Sequence, residues 1–133
     1  MSGFTAAESN QHFTLVASLV RYLESNGWKV THADGVSNYP RPAQVVSHIP
    51  DVRATKQQGN LVAYGEAETC ETLGSEQTRQ QIDEFSNRVM TNTNQPVPLF
   101  IIVPQRCYSE LQNVIKASFS SRSNITLLYL PSN

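Results

Sequence analysis

Asp51, Glu66 and Glu68 are three carboxylates in two segments that read as β-strands, His48-Ile49-Pro50-Asp51-Val52 and Tyr64-Gly65-Glu66-Ala67-Glu68-Thr69. Fifteen positions separate Asp51 from Glu66. Burying an unpaired carboxylate is costly, so three of them on neighbouring strands need a partner. The most economical partner is a hard divalent cation held by oxygen ligands. Mg2+ or Mn2+ there would relieve the repulsion and keep positions open for water and phosphate oxygens. Such a cation can activate a water and stabilise charge as a phosphodiester is cleaved.

Whether the three can meet depends on register. Strand side chains alternate, so Glu66 and Glu68 share a face. A two-residue turn at Gln58-Gly59 pairs Gln57 with Asn60, and a four-residue loop from Gln57 to Asn60 pairs Lys56 with Leu61. Both set Asp51 opposite Glu66, with Cβ atoms ~4.5–5.5 Å apart. A three- or five-residue loop would send Asp51 to the other face. Val62 and Tyr64 share the carboxylate face, while Gly65 and Ala67 on the opposite face suit close helix packing. The competing reading is a solvent-facing strand whose glutamates are simply hydrated.

The elements that must position these residues follow from periodicity. Thr5-Ala6-Ala7-Glu8 fits a capping box, and Phe13, Val16, Ala17, Val20 and Leu23 then recur at helical spacing up to a stop at Asn26-Gly27. Trp28 to Ala33 reads as a short strand, and residues 34–47, with Gly35, Asn38, Pro40 and Pro42, as a loop. Strands follow near His48 to Thr55 and from Leu61 to Thr69. Ser75 is a good N-cap for a second helix with Thr78, Ile82, Phe85 and Val89 on one face. Pro98 to Val103 is a continuous apolar run, as expected of a strand buried on both faces. A third helix carries Leu111, Val114, Ile115 and Phe119, and Ile125 to Leu130 is a last strand. The order αβββαβαβ predicts one α/β domain over residues 1–133, a mixed central sheet with helices on both faces in three α/β/α layers.

The bulk numbers narrow the partners. Of 133 residues, 39% are apolar and 16% charged, so the chain is globular but polar. A net charge of −1 argues against indiscriminate nucleic-acid binding. Setting the three strand carboxylates aside leaves ten basic against eight acidic residues, a mildly positive body. No segment reaches the ~20 apolar residues a membrane span needs. Met1-Ser2-Gly3-Phe4 has no basic region followed by an apolar run, which predicts no secretory signal. Cys70 and Cys107 form no CxxC pair and read as two reduced, buried thiols of a cytoplasmic protein. His12 and His32 show no zinc spacing. His48, two residues before Pro50, is a minor candidate for a place near the site, against an ordinary surface or cap residue.

Pro50-Asp51, a hairpin, then Glu66-Ala67-Glu68 on the next strand resembles the PD-(D/E)xK nuclease superfamily, which includes many restriction endonucleases and archaeal Holliday-junction resolvases. The common αβββαβ core of that superfamily matches about residues 9–104. The resemblance implies a restriction endonuclease-like fold and a metal-dependent nuclease acting on DNA. It implies Asp51, Glu66 and the main-chain carbonyl of Ala67 as ligands of Mg2+ or Mn2+. Glu68 takes the place of the usual lysine, as in a minority of restriction enzymes, and would act on the attacking water. Helix residues after the motif often line the site, which marks Arg79, Gln80 and Gln81, with Glu24 a weaker candidate. Lys56 is the nearest lysine in sequence but falls at the hairpin tip. So small a core with near-neutral charge implies a homodimer or a partner protein to complete DNA recognition. The missing lysine and weak basic character point to an alternative: a catalytically inactive member of the same fold, acting as a protein- or DNA-binding regulatory module. A third reading is an unrelated α/β domain with a fortuitous motif, its Asp51 and Glu66 on opposite sheet faces or far apart.

Overall fold

The computed structural model describes residues 6–132. In chain order it forms α1 (Ala6–Ser25), β1 (Lys29–Ala33), β2 (Val52–Lys56), β3 (Leu61–Ala67), α2 (Glu76–Ser86), β4 (Leu99–Pro104), α3 (Tyr108–Ser118) and β5 (Ile125–Leu130). Short 3₁₀ turns, Gln57–Gly59 and Gln105–Cys107, follow β2 and β4. The expected capping box rests on Thr5, which lies outside the described residues. Among the described residues no helix is long and apolar enough to cross a membrane.

The five strands form one mixed sheet in the order β1-β2-β3-β4-β5. The first three are antiparallel, as short connections permit, and β3, β4 and β5 are parallel, each joined by a helical crossover. β4 is central enough to be apolar on both faces. Its Ile102 joins Leu15, Val16, Leu19, Val20 and Leu23 of α1, with Val52, Ala54 and Ala67, in one core. Its Leu99, Ile101 and Val103 join Ile82 and Phe85 of α2 and Leu111 of α3 in a second core.

Local chemistry explains where the elements depart from the sequence expectation. β2 begins at Val52, because Val45 and His48 close a small bridge ahead of Pro50, which has no N–H to donate to a ladder. The buried stripe of α1 runs through Leu15 and Leu19, not Phe13, which is 40% exposed. Phe13 instead lies against Gly35, where an added Cβ would stand 2.4 Å from its ring. α2 stops at Ser86, so Val89 leaves the helical face and pairs with Pro96.

Candidate active site

The β2–β3 ladder runs from Lys56 opposite Leu61 to Val52 opposite Gly65. This is the register of a four-residue loop, closed by Asn60 N–H donating to Gln57 O at 3.2 Å. Beyond Val52, Asp51 N–H donates to Gly65 O at 3.0 Å and to Glu66 Oε1 at 3.1 Å, which brings Asp51 beside Glu66. Glu68 lies just past β3, and its N–H still donates to Ile102 O at 3.0 Å. The three carboxylates therefore meet at one end of the sheet, on the floor of a cleft of about 610 Å³. α1, the 34–50 loop and the N-terminal part of α2 form its walls.

Glu66 is 3% exposed and Glu68 7%, so neither is a hydrated surface residue. Protein groups engage all three carboxylates. Ala67 N–H donates to Asp51 Oδ2 at 2.8 Å, and Asp51 N–H to Glu66 Oε1 at 3.1 Å. The hydroxyls of Thr72 and Thr78 reach Glu68 Oε1 at 2.8 and 3.0 Å. His12, on α1, places Nε2 3.2 Å from Asp51 Oδ1. Among the described residues no buried side-chain nitrogen or oxygen lacks a hydrogen-bond partner.

These surroundings shift proton affinities. Burial pushes the Glu66 carboxyl well above its ordinary value, and the charges of Asp51 and Glu68 push it further. Burial raises Glu68 as well, against the Thr72 and Thr78 hydroxyls, which favour its anion. The interaction between the two carboxyls raises Glu66 and lowers Glu68. Burial opposes the charged form of His12, but the hydrogen bond and charge of Asp51, with Glu68 and Asp34 behind it, outweigh burial and raise its pKa.

Among the described residues no group of three or more His, Cys, Asp or Glu side chains stands ready to hold a metal ion. The donor chemistry nonetheless fits a small hard cation. Each carboxylate keeps one oxygen outside the bonds to backbone and threonine, and a dication can offset the charges that crowd Glu66.

Other sequence candidates separate clearly. Gln81 lines the cleft, as does Gln77. Arg79 turns to Glu76, at 3.5 Å, and Gln80 is exposed. Lys56 stacks 4.6 Å above the Trp28 ring, away from the carboxylates. Glu24 accepts from the Tyr39 hydroxyl at 2.7 Å. His48 serves the 34–50 loop: its Nδ1 lies 2.9 Å from Glu84 Oε2 on α2, and the Ser47 N–H and hydroxyl also bind Glu84. The Ser47 hydroxyl is the main reason the Glu84 carboxyl is held below its ordinary value. The two reduced thiols are not found: Cys70 and Cys107 form a disulfide, with Cα atoms 5.7 Å apart. Cys70 follows the motif strand and Cys107 the end of β4, so the parallel β3–β4 pairing brings them level.

Three site residues escaped sequence reasoning. His12 and Arg41 reach the cleft from α1 and from the long loop, and only tertiary packing places them. Thr72 sits in the turn after β3, where Thr72 and Leu73 N–H both donate to Thr69 O. The signal that existed was Ser75-x-x-Thr78, since Ser75 caps α2 through Thr78 N–H and so fixes Thr78 beside Glu68. Asp34, Asp51, Glu66, Glu68 and Glu71 line the cleft against only Arg41 and His12 as basic groups, an acidic balance.

No family model, no curated protein and no solved structure matches this chain. What the fold and the cleft establish is an α/β domain with a five-stranded mixed sheet and a buried carboxylate cluster at one sheet end.

Proposed function

We propose that the chain is a metal-dependent nuclease of the PD-(D/E)xK type, with a three-layer, restriction endonuclease-like fold, that hydrolyses DNA phosphodiester bonds. The observation that carries this reading is the juxtaposition of Asp51 and Glu66 across the β2–β3 hairpin at the end of a sheet in the order αβββαβ. Two apolar cores on opposite sheet faces support the layering.

Asp51, Glu66 and the Ala67 carbonyl would hold Mg2+ or Mn2+. The N–H and C=O of one strand residue face the same neighbour, and Ala67 N–H faces Asp51. The cation would supply charge stabilisation at the phosphoryl oxygens and a more acidic bound water. Glu68 takes the proton of the attacking water. Burial raises its proton affinity, and the Thr72 and Thr78 hydroxyls fix its orientation. Gln77 and Gln81 offer neutral donors to a phosphate backbone. The acidic balance of the cleft makes a cation necessary before a polyanion can enter.

The engagement of all three carboxylates by protein groups favours a second reading, a non-catalytic member of the same fold. One assay separates them. Supercoiled, linear, single-stranded and branched DNA are incubated with the protein in Mg2+ or Mn2+. The nuclease reading expects cleavage that Asp51→Asn abolishes. Cleavage surviving that change, or absent on every substrate, rejects it.

A further inference from the structure

The cleft is acidic on its floor and apolar on two of its walls. Phe13 of α1 is 40% exposed and Ile49 of the 34–50 loop 43%, and both line the cleft with Asp51, Glu66 and Glu68. Among the described residues only five large apolar side chains are 40% or more exposed, and this cleft holds two of them. The proposed hydrolysis uses neither.

Phe13 is held in place. A Cβ on Gly35 would stand 2.4 Å from two of its ring carbons, and Gly35 sits at φ +73°, so glycine alone suits the seat. The His12 imidazole and the Phe13 ring meet edge-on, with centroids 5.3 Å apart and planes at 68°. His12 Nε2 in turn lies 3.2 Å from Asp51 Oδ1, which places the Phe13 ring beside the carboxylates. An exposed aromatic ring next to a site for phosphate oxygens suits a nucleobase, since any base can stack on it. Inside a duplex, the faces of a base are already covered by its neighbours. The size of the cleft agrees: about 610 Å³ is the scale of a small-molecule site and suits an unstacked nucleotide better than paired strands. So does its charge. With acidic residues outnumbering Arg41 and His12 along the cleft, phosphate contacts alone give little affinity, and stacking must supply it.

We infer that Phe13 is the stacking platform for an unpaired base in this cleft, with Ile49 extending the apolar wall, and that the DNA the cleft takes is single-stranded at that point. The inference rests on the nuclease reading above and adds to it the class of substrate. Phe13 is then a specificity residue: it selects unpaired over paired DNA and takes no part in the hydrolysis itself.

The test compares one oligonucleotide in two states. The full chain is titrated, in Ca2+, with a single strand carrying the fluorescent base 2-aminopurine and with the same strand fully paired, and both are then assayed for cleavage in Mn2+. The wild type is expected to bind and cut the single strand in preference, with the aminopurine emission quenched by stacking. Phe13→Leu keeps an apolar side chain but no ring, and should lose the quenching and at least about fivefold in single-strand affinity. Phe13→Tyr, which restores a ring, should recover both. The comparison of the two DNAs needs only the wild type, so it stands whether or not a variant folds. Paired DNA bound or cut as well as the single strand, or Phe13→Leu with wild-type affinity and quenching, overturns the inference and leaves the nuclease reading intact. Quenched binding of the single strand with no cleavage of either DNA keeps the stacking site and rejects the nuclease. Neither binding nor cleavage of either DNA overturns both.

Discussion

Ala67 N–H donates to Asp51 Oδ2 at 2.8 Å, so the backbone of one motif strand holds the carboxylate of the other. An amide oxygen at residue 51 can accept the same bond. Asp51→Asn is therefore expected to keep the fold, with an unchanged circular dichroism spectrum, while losing at least about 100-fold in metal-dependent cleavage. Loss of both fold and activity would instead mark Asp51 as a structural anchor.

Glu66 supplies a pH-dependent prediction for the metal-free protein. Its folded pKa is raised well above 4.5 by burial and by the charges of Asp51 and Glu68. A raised folded value means that protonation favours the native state. That contribution is fully present below the unfolded value and is lost as pH rises through the folded one. In chelator, Glu66→Gln should match the wild type near pH 4.5 and melt higher at pH 8, by ~3–5 °C for each ~1 kcal/mol of relieved burial. Melting curves between those limits test this, and a gap that does not change with pH refutes it.

Gly65 is a packing position. A Cβ there would stand 2.6 Å from Leu19 Cδ2 and 3.1 Å from Val52 Cβ. Gly65→Ala must displace the buried Leu19 side chain and disturb its packing on the sheet, at a cost of ~1–3 kcal/mol in urea unfolding. Unaltered stability would show that α1 sits further from β3.

The clasp between the 34–50 loop and α2 responds to acid. The Glu84 carboxyl is held below its ordinary value, chiefly by the Ser47 hydroxyl. A lowered folded value gives a contribution present above the unfolded pKa and lost as pH falls through the folded one. Amide exchange of residues 43–49 at neutral pH should therefore be faster in Glu84→Gln than in the wild type. Equal protection in the two proteins would mean that other contacts hold the loop.

Much of this arrangement was legible in the sequence, for identifiable reasons. The hairpin register from Lys56–Leu61 to Val52–Gly65 followed from loop length and strand parity, and it brings Asp51 beside Glu66. Ser75 announced α2, and the apolar run 98–103 announced a strand with two buried faces. His12 and Arg41 were silent, because nothing local ties a helix or loop residue to a strand two elements away. The cysteines were misread as thiols because compartment was inferred from the lack of an export pattern, while their level placement depends on the β3–β4 pairing. The carboxylates were expected to need a cation. The threonine hydroxyls and backbone amides that engage them come together only once the chain is folded.

The Cys70–Cys107 bond spans 37 positions and encloses all of α2 and β4. In covalent terms that stretch is a ring, with the motif strand leaving one side and α3 the other. A protease that nicks the polar loop at residues 91–96 would open the ring without dividing the molecule. The fragment with Glu66 and α2 and the fragment with β4, α3 and β5 would travel as one species on a non-reducing gel and as two after a dithiol is added.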